Sequence, residues 1–414
     1  MKSKRRNGRR AAFAAGAGCW AAGLATALSA RLIPGFADQY LERMNAFWVN
    51  TLGRLSSSVP WSVCELLLYI TSALAAVWLI RLLSGLVRRR EGVRRCLQSG
   101  LLFVILAGGI GFFLYECGED VYFCTTPFAE KYGFGEGSYT TEELTAVCGT
   151  LVRRCNRYAG LVSREGEKTE AASAADPDQT GTSRSAADPV QTEKNRAAAE
   201  PALPGEPDPD AGQMLVSPDA EERARRAVSA LGAAYPELRG YIVRPKGVLC
   251  SRLLSLARFS GIWTAVTGEA HYNRDMPQYN RPFSICHELA HSKGILRENE
   301  ANLIAYLACS RSEDPDFRYS AALSGWIYCG NELYRRDRAA WKRLSETLAP
   351  SVRLDLEANT AFWRAYDGAA GRTAERLNHA YLKSKGIRSG AESYDQVVDL
   401  IISCEKENRM SLAD

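Results

Sequence analysis

Ser284–Asn302 reads SICHELAHSKGILRENEAN. Its centre, His287-Glu288-Leu289-Ala290-His291, is the H-E-x-x-H pattern of zinc hydrolases. Residues four apart share one face of a helix, so His287 and His291 can ligate one metal ion. Glu288 then falls beside that ion, where it can take a proton from an activated water. Five residues with three fixed letters also arise by chance in long chains. Two features argue against chance. The chain has only four histidines, His271, His287, His291 and His379, and two of them stand at this spacing. The neighbours Ile285, Cys286, Leu289 and Ala290 are uncharged, as a helix buried beneath a metal site requires.

A hydrolytic zinc site takes three protein ligands and keeps one position open. Gly294 offers the turn that ends the first helix, because glycine freely adopts the left-handed conformation. Glu298-Asn299-Glu300-Ala301-Asn302 follows and opens the apolar run Leu303–Ala308. Residues two apart on a helix lie on nearly opposite faces, so Glu298 and Glu300 cannot both reach the metal. Glu298 has Asn302 one turn on, whose amide can hold a ligating histidine from behind; Glu300 has Ile304 there. Glu298 is therefore the expected third ligand and Glu300 the alternative. Either acid would also suit the N-terminus of a helix, whose dipole favours negative charge.

The chain has 414 residues, enough for one sizeable folded domain and further segments. The net charge of +5 is mild, and its basic residues cluster at the N-terminus and near residue 90. No basic stripe interleaved with aromatics appears, so no nucleic-acid partner is expected. Twelve cysteines form no C-x-x-C pair, which argues against a cysteine-based zinc ribbon. Nine follow residue 115, an odd number that cannot pair completely among themselves.

Behind a basic N-terminus (Lys2, Lys4, Arg5, Arg6, Arg9, Arg10), Ala11–Ala30 carries no charge. It is long enough to cross a bilayer, which takes about 20 residues; a cleaved signal peptide ending near Ala25-Thr26-Ala27 is the competing reading. Trp61–Val87 gives a second apolar stretch and Gly100–Tyr115 a third, for which a buried core helix is the alternative. Arg88, Arg89, Arg90, Arg94 and Arg95 separate the second from the third. The positive-inside rule then puts that loop and the N-terminus in the cytoplasm and everything after about Glu116 outside. The lipid bilayer is thus an expected partner.

Thr140–Tyr158 has helical spacing. Ser163–Asp219 is rich in Ala, Pro, Asp, Glu, Ser and Thr and cannot bury enough surface to order itself, so it reads as a disordered insertion or linker. Residues 240–246 and 261–273 read as strands, the latter a candidate edge for holding an extended substrate. His271, near its end, reads as a surface histidine. Helices follow at Tyr319–Arg336, Ala339–Leu348, Ser351–Tyr366 and Tyr394–Asn408; the first carries Tyr319, Tyr328 and Tyr334, read as core aromatics. The fold class is α+β, mostly α. The expected division is 1–115 for the cytoplasmic N-terminus and three membrane helices and 116–162 for a helical juxtamembrane part. The linker at 163–219 and the HExxH domain at 220–414 complete it.

This layout resembles a bacterial membrane family known as domain of unknown function 3810, which looks like a branch of the zincin metallopeptidases. The resemblance covers most of the chain. Its specific part is Cys286-His287-Glu288-Leu289-Ala290-His291 followed by Glu298-Asn299-Glu300-Ala301-Asn302. Thr267-Gly268-Glu269-Ala270, Phe317-Arg318-Tyr319-Ser320, Pro60-Trp61-Ser62-Val63, Tyr381-Leu382-Lys383 and Ser393-Tyr394-Asp395 extend it. The chain departs from it by the long insertion, and by Val266 and His271. The resemblance implies a metal-dependent hydrolase with a zincin-like domain, His287 and His291 as ligands and Glu288 as base. It supplies no substrate.

The expected function is a membrane-anchored zinc metallopeptidase with Zn2+ held by His287, His291 and Glu298, acting on a peptide or protein substrate outside the cytoplasmic membrane. Two imidazoles and a carboxylate suit zinc, although cobalt or manganese can replace it. The alternatives are a non-catalytic membrane-anchored binding protein and a zinc-dependent amidase. A protease cutting within the membrane is disfavoured because HExxH stands far along the chain from any apolar run.

Overall fold

A computed structural model describes residues 2–87, 93–135, 138–165, 212–385 and 393–411. Three long helices open the chain: α1 (Lys2–Leu32), α2 (Val63–Val87) and α3 (Val93–Gly118). Each contains a stretch long and apolar enough to cross a membrane, at Asn7–Leu32, Val63–Val87 and, running past the end of α3, Cys96–Cys124. Helix α2 exposes Leu67, Ile70, Leu74, Val77, Ile80 and Leu83 with no polar face opposite. That pattern costs stability in water and gains it in lipid. Helices α1 and α3 pack backbone to backbone: a side chain on Gly109 would begin 2.5 Å from the carbonyl oxygen of Gly16. Small residues permit such close approach between membrane helices. Trp20 closes the seam by donating Nε1–H to the Ile105 carbonyl at 3.2 Å.

Between α1 and α2, residues 36–57 form a broken helix with two wide turns, at Leu41–Asn45 and Val49–Gly53. It lies against the body of the protein, not apart from it: a Cβ on Gly268 would meet the backbone of Gly53 at 2.9 Å.

The body is a helical array. Its helices are α4 (Thr141–Ala159), α5 (Ala220–Leu231), α6 (Ser251–Ala257), α7 (Asn280–Ser292), α8 (Glu298–Ser310), α9 (Pro315–Arg336), α10 (Arg338–Glu346), α11 (Pro350–Ala365), α12 (Ala369–Ser384) and α13 (Ser393–Ser411). Helix α4 starts at a capping box, in which Thr140 and Glu143 satisfy each other's backbone N–H groups. Its apolar face, Leu144, Val147, Leu151 and Cys155, is fully buried in the core that also holds Leu303, Phe317 and Ile401. The helix expected as a juxtamembrane part therefore shares one core with residues 220–404. Tyr319 is also buried there and donates to Asp355 Oδ2 at 2.6 Å.

Most of the Ser163–Asp219 stretch lies outside the described residues. Its two ends are anchored: Arg164 bridges to Met214 and forms a buried ion pair with Asp355 at 3.1 Å.

Three short strands make one sheet in the order β1–β3–β2, with β1 Lys246–Gly247, β2 Gly261–Thr264 and β3 Glu269–Tyr272. Strand β1 runs parallel to β3, and β2 antiparallel. Three sequence expectations are corrected here. Residues 240–245 do not pair, and only Lys246–Gly247 joins the sheet; Pro245 has no N–H to give a ladder. Residues 261–273 form a hairpin instead of one strand, turning at residues 265–268, where Gly268 takes φ +65°. His271, expected at the surface, is 2% exposed, because β3 is the central strand and is covered on both faces. Helix α12 was not expected from the sequence.

The sheet lies between α7 and the start of α2. Side chains alternate across a strand, so Gly261 and Trp263 face α7 while Ile262 and Thr264 share the other face with His271 and Glu269. On that side Glu269 accepts the N–H groups of Val63 (2.9 Å) and Cys64 (2.7 Å), capping α2, and pairs with Lys246 at 2.6 Å. Ser62 Oγ meets His271 Nε2 at 2.8 Å. Glu65 returns the arrangement by accepting from Leu249 N and Cys250 N, ahead of α6.

Candidate metal centre

Helix α7 ends where glycine allows it to. Gly294 takes φ +84°, its N–H returns to the His291 carbonyl at 2.9 Å, and Ile295 N–H reaches the Ala290 carbonyl at 3.3 Å. This paired closure satisfies two terminal carbonyls and turns the chain straight into α8. Helices α7 and α8 then pack side by side with Cys286 and Cys309 fully buried between them, their sulfurs 3.6 Å apart.

That turn brings Glu298, the first residue of α8, over the face of α7 that carries the histidines. His287 Nε2 lies 3.2 Å from Glu298 Oε2, and His291 Nε2 lies 3.8 Å from Glu298 Oε1. One ligand atom from each of the three residues falls within 4.8 Å of the others. The far side of each imidazole is held. His287 Nδ1 meets Asn302 Oδ1 at 2.9 Å, and His291 Nδ1 meets the Ile295 carbonyl at 2.8 Å. A carbonyl oxygen only accepts, so His291 carries its proton on Nδ1 and presents the Nε2 lone pair to the site.

The two candidate acids are separated by the structure. Glu300 is buried and turned away, accepting Ala129 N–H at 3.0 Å in the segment that follows the third apolar span. Glu298 keeps 40% of its side chain exposed, on the open side of the site. His271 is held in the sheet, and neither it nor His379 joins the cluster.

Glu288 is 4% exposed, and its Oε2 has no hydrogen-bond partner among the described residues. Such an orphaned buried acceptor is costly and calls for an explanation. Gly261 supplies the space beside it: a Cβ there would stand 2.5 Å from Glu288 Oε1 and 2.6 Å from the His271 carbonyl oxygen. Sequence reasoning placed Gly261 at the start of a strand but gave it no role at the site; only the crossing of β2 over α7 reveals one. Arg297 is a second such residue, donating to the Thr125 and Phe123 carbonyls and tying the start of α8 to the end of the third span.

The electrostatics follow from four ionisable groups packed close together, with Glu298 on the open side. Burial pushes the Glu288 carboxyl up to about 8. Burial also opposes charge on His287, but the Glu298 carboxylate outweighs it and carries the imidazole up to about 9. His291, buried beside that charge, goes down to about 4. Burial alone would raise Glu298; its hydrogen bond to His287 overrides this and holds it well below the ordinary carboxylate range. The His291 lone pair, the Glu298 carboxylate, the unpartnered Glu288 and a His287 Nε2 that would give up the proton it shares with Glu298 are a donor set that suits a divalent cation of zinc's preferences.

No curated protein and no solved structure matches the chain. A family model matches residues 40–402, from the broken helix after α1 to α13. That span holds the second and third apolar helices, the sheet and the whole His–His–Glu cluster. By this match the chain belongs to the family described as protein of unknown function (DUF3810).

Proposed function

We propose that the protein is a membrane-anchored, zinc-dependent metallopeptidase with a zincin-like domain. One observation carries the reading: two imidazole Nε2 atoms and the Glu298 carboxylate converge while an unpartnered Glu288 carboxyl oxygen stands beside them. His287, His291 and Glu298 would hold the ion. Zinc bound there supplies a Lewis acid that makes water a usable nucleophile near neutral pH and polarises a carbonyl.

The chain's own residues do the rest. Asn302 and the Ile295 carbonyl hold the imidazoles in register. Glu288, its carboxyl oxygen unpartnered beside the ligands, would take the proton of the attacking water as a carboxylate and return it to the leaving amine, the general-base-then-acid role. Strand β2 has no strand on its outer side among the described residues, so an extended peptide can add to it and lie across the site.

The ends of the spans support the orientation. The end of α1 pairs through Arg31 with Asp120 at the end of the third span, which also pairs with Lys385 of the body, the start of α2 is capped by Glu269, and the end of α3 abuts Ala265. The starts of α1 and α3 then fall on the opposite side of the bilayer. Both are rich in basic residues, which favours the cytoplasm for them and the outside for the site.

The test is metal analysis of the full chain in detergent, beside His291→Ala and Glu288→Gln. About one zinc per wild-type chain, lost in His291→Ala, is expected. Glu288→Gln keeps the metal and loses peptide cleavage by about 10²- to 10⁴-fold. A Glu288→Gln protein that cleaves as wild type does would remove Glu288 from the mechanism.

A further inference from the structure

Helix α6 is built inside out for a protein surface in water. Its buried side carries Ser251 and Ser255, 1% and 0% exposed, which bond to Arg274 N–H and to the Asn273 side chain. Its outer side carries Leu253 and Leu256, three apart on one face, and Leu249 stands in the turn just before it. All three leucines are exposed, Leu249 by 71%. The position of this face is fixed, because Glu65 in the first turn of α2 accepts the N–H groups of Leu249 and Cys250. The leucines therefore stand beside the start of α2, whose exposed apolar surface begins at Leu66 and Leu67. Apolar residues on one face of a short helix beside a membrane span match an interfacial lipid contact.

The metal site is close to that surface. Strand β2 starts at Gly261 against Glu288, and its turn begins against the third span, where a Cβ on Gly118 would meet Ala265 at 3.0 Å. Four residues of extended chain separate the two, about 13 Å. Ile262 and Val266, on the strand and its turn, are exposed and apolar as well. HExxH is distant from the spans in sequence and adjacent to their ends in space.

We propose that the Leu249–Leu253–Leu256 face rests in the bilayer surface and that the site takes its substrate as an extended polypeptide segment tethered to the same membrane. Chain laid along β2 is cut within about six residues of its membrane attachment, the reach of roughly 20 Å of strand. The membrane contact stands independently; the substrate class rests on the metallopeptidase reading.

The experiment uses the full chain in zinc-loaded proteoliposomes. A photo-crosslinking amino acid is placed at Leu253 and, as a control, at Lys342, which is exposed on α10. Mass spectrometry is expected to find lipid adducts at 253 and none at 342. Crosslinks at 253 to protein, or to nothing, overturn the membrane contact. The same liposomes receive long random-sequence peptides, free or palmitoylated at either end, with Glu288→Gln as the blank. Palmitoylated peptides are expected to be cut about tenfold faster or more, with cuts clustered within about six residues of the lipid. Free peptides cut equally fast, or cuts spread beyond about ten residues, overturn the tethered substrate and leave the hydrolase standing. Cleavage of neither form, with lipid adducts intact at 253, overturns the metallopeptidase reading and the substrate class together.

Discussion

Gly261 and Glu288 meet so closely that the smallest side chain cannot come between them. Gly261→Ala must push β2 off α7 or displace the Glu288 carboxyl, since one of the two obstructing groups is backbone. We expect this variant to keep its zinc, whose three ligands lie on α7 and α8, and to lose most peptide cleavage. Metal analysis alongside an activity assay separates the two effects. Asn302→Ala removes the acceptor behind His287. Loss of such a partner typically weakens metal affinity about 10- to 100-fold, measurable by zinc titration against a chelator, with the circular dichroism spectrum unchanged. The neighbouring acids should part company. Glu298→Ala loses the metal, whereas Glu300→Ala keeps it and is destabilised by about 1–3 kcal/mol through the stranded Ala129 N–H.

At the scale of elements, the sheet holds the start of the second span through Glu269, which caps α2 and is itself buried in an ion pair with Lys246 of the same sheet. The Lys246 and Glu269 side chains are 1% and 0% exposed. Removing one partner leaves a charge stranded, and Glu269→Ala should cost about 3–5 kcal/mol. The double replacement Lys246→Met, Glu269→Leu should cost less on the ion-pair account, although it also uncaps α2. The pH dependence has a definite sign. Burial would raise the Glu269 carboxyl, but Lys246 and the α2 backbone N–H groups hold it below its ordinary value of 4.5. A carboxyl with a depressed folded-state value stabilises the protein fully above the unfolded value. That stabilisation is lost as pH falls from about 4.5 through the folded value. Thermal unfolding in acid should therefore fall more steeply for wild type than for Glu269→Gln. Parallel curves would show that the pair carries no such linkage.

For the whole molecule, the helical body does not begin at residue 220. The buried face of α4 lies in the same core as α8, α9 and α13, and α4 packs along α9. A fragment of residues 220–414 should expose that core and fail to give a cooperative unfolding transition. A piece that also includes residues 138–165 restores α4 and its contacts. Far-ultraviolet circular dichroism with a thermal melt of both distinguishes them; a cooperative melt of the shorter fragment would show that α4 is dispensable.

The chemistry of the site was legible locally because it is local. HExxH and the candidate third acids lie on two successive helices joined by a glycine turn, so helical periodicity put His287 and His291 on one face and preferred Glu298 with Glu300 as the alternative; only the structure turned Glu300 away and set Asn302 against His287. The apolar runs of α1, α2 and α3 were equally plain, since a membrane-spanning helix declares itself by length and composition. What periodicity cannot express is contact between distant segments. The burial of His271, the hairpin in place of one long strand, the approach of Gly261 to Glu288 and the membership of α4 in the core all depend on pairings across tens or hundreds of residues. So does the nearness of the metal site to the spans, which sequence distance misjudged. The core place of α4 comes from its packing along α9; the others come from closing the sheet between α7 and the start of α2, where Glu269 accepts the N–H groups that open α2 and Glu65 those ahead of α6.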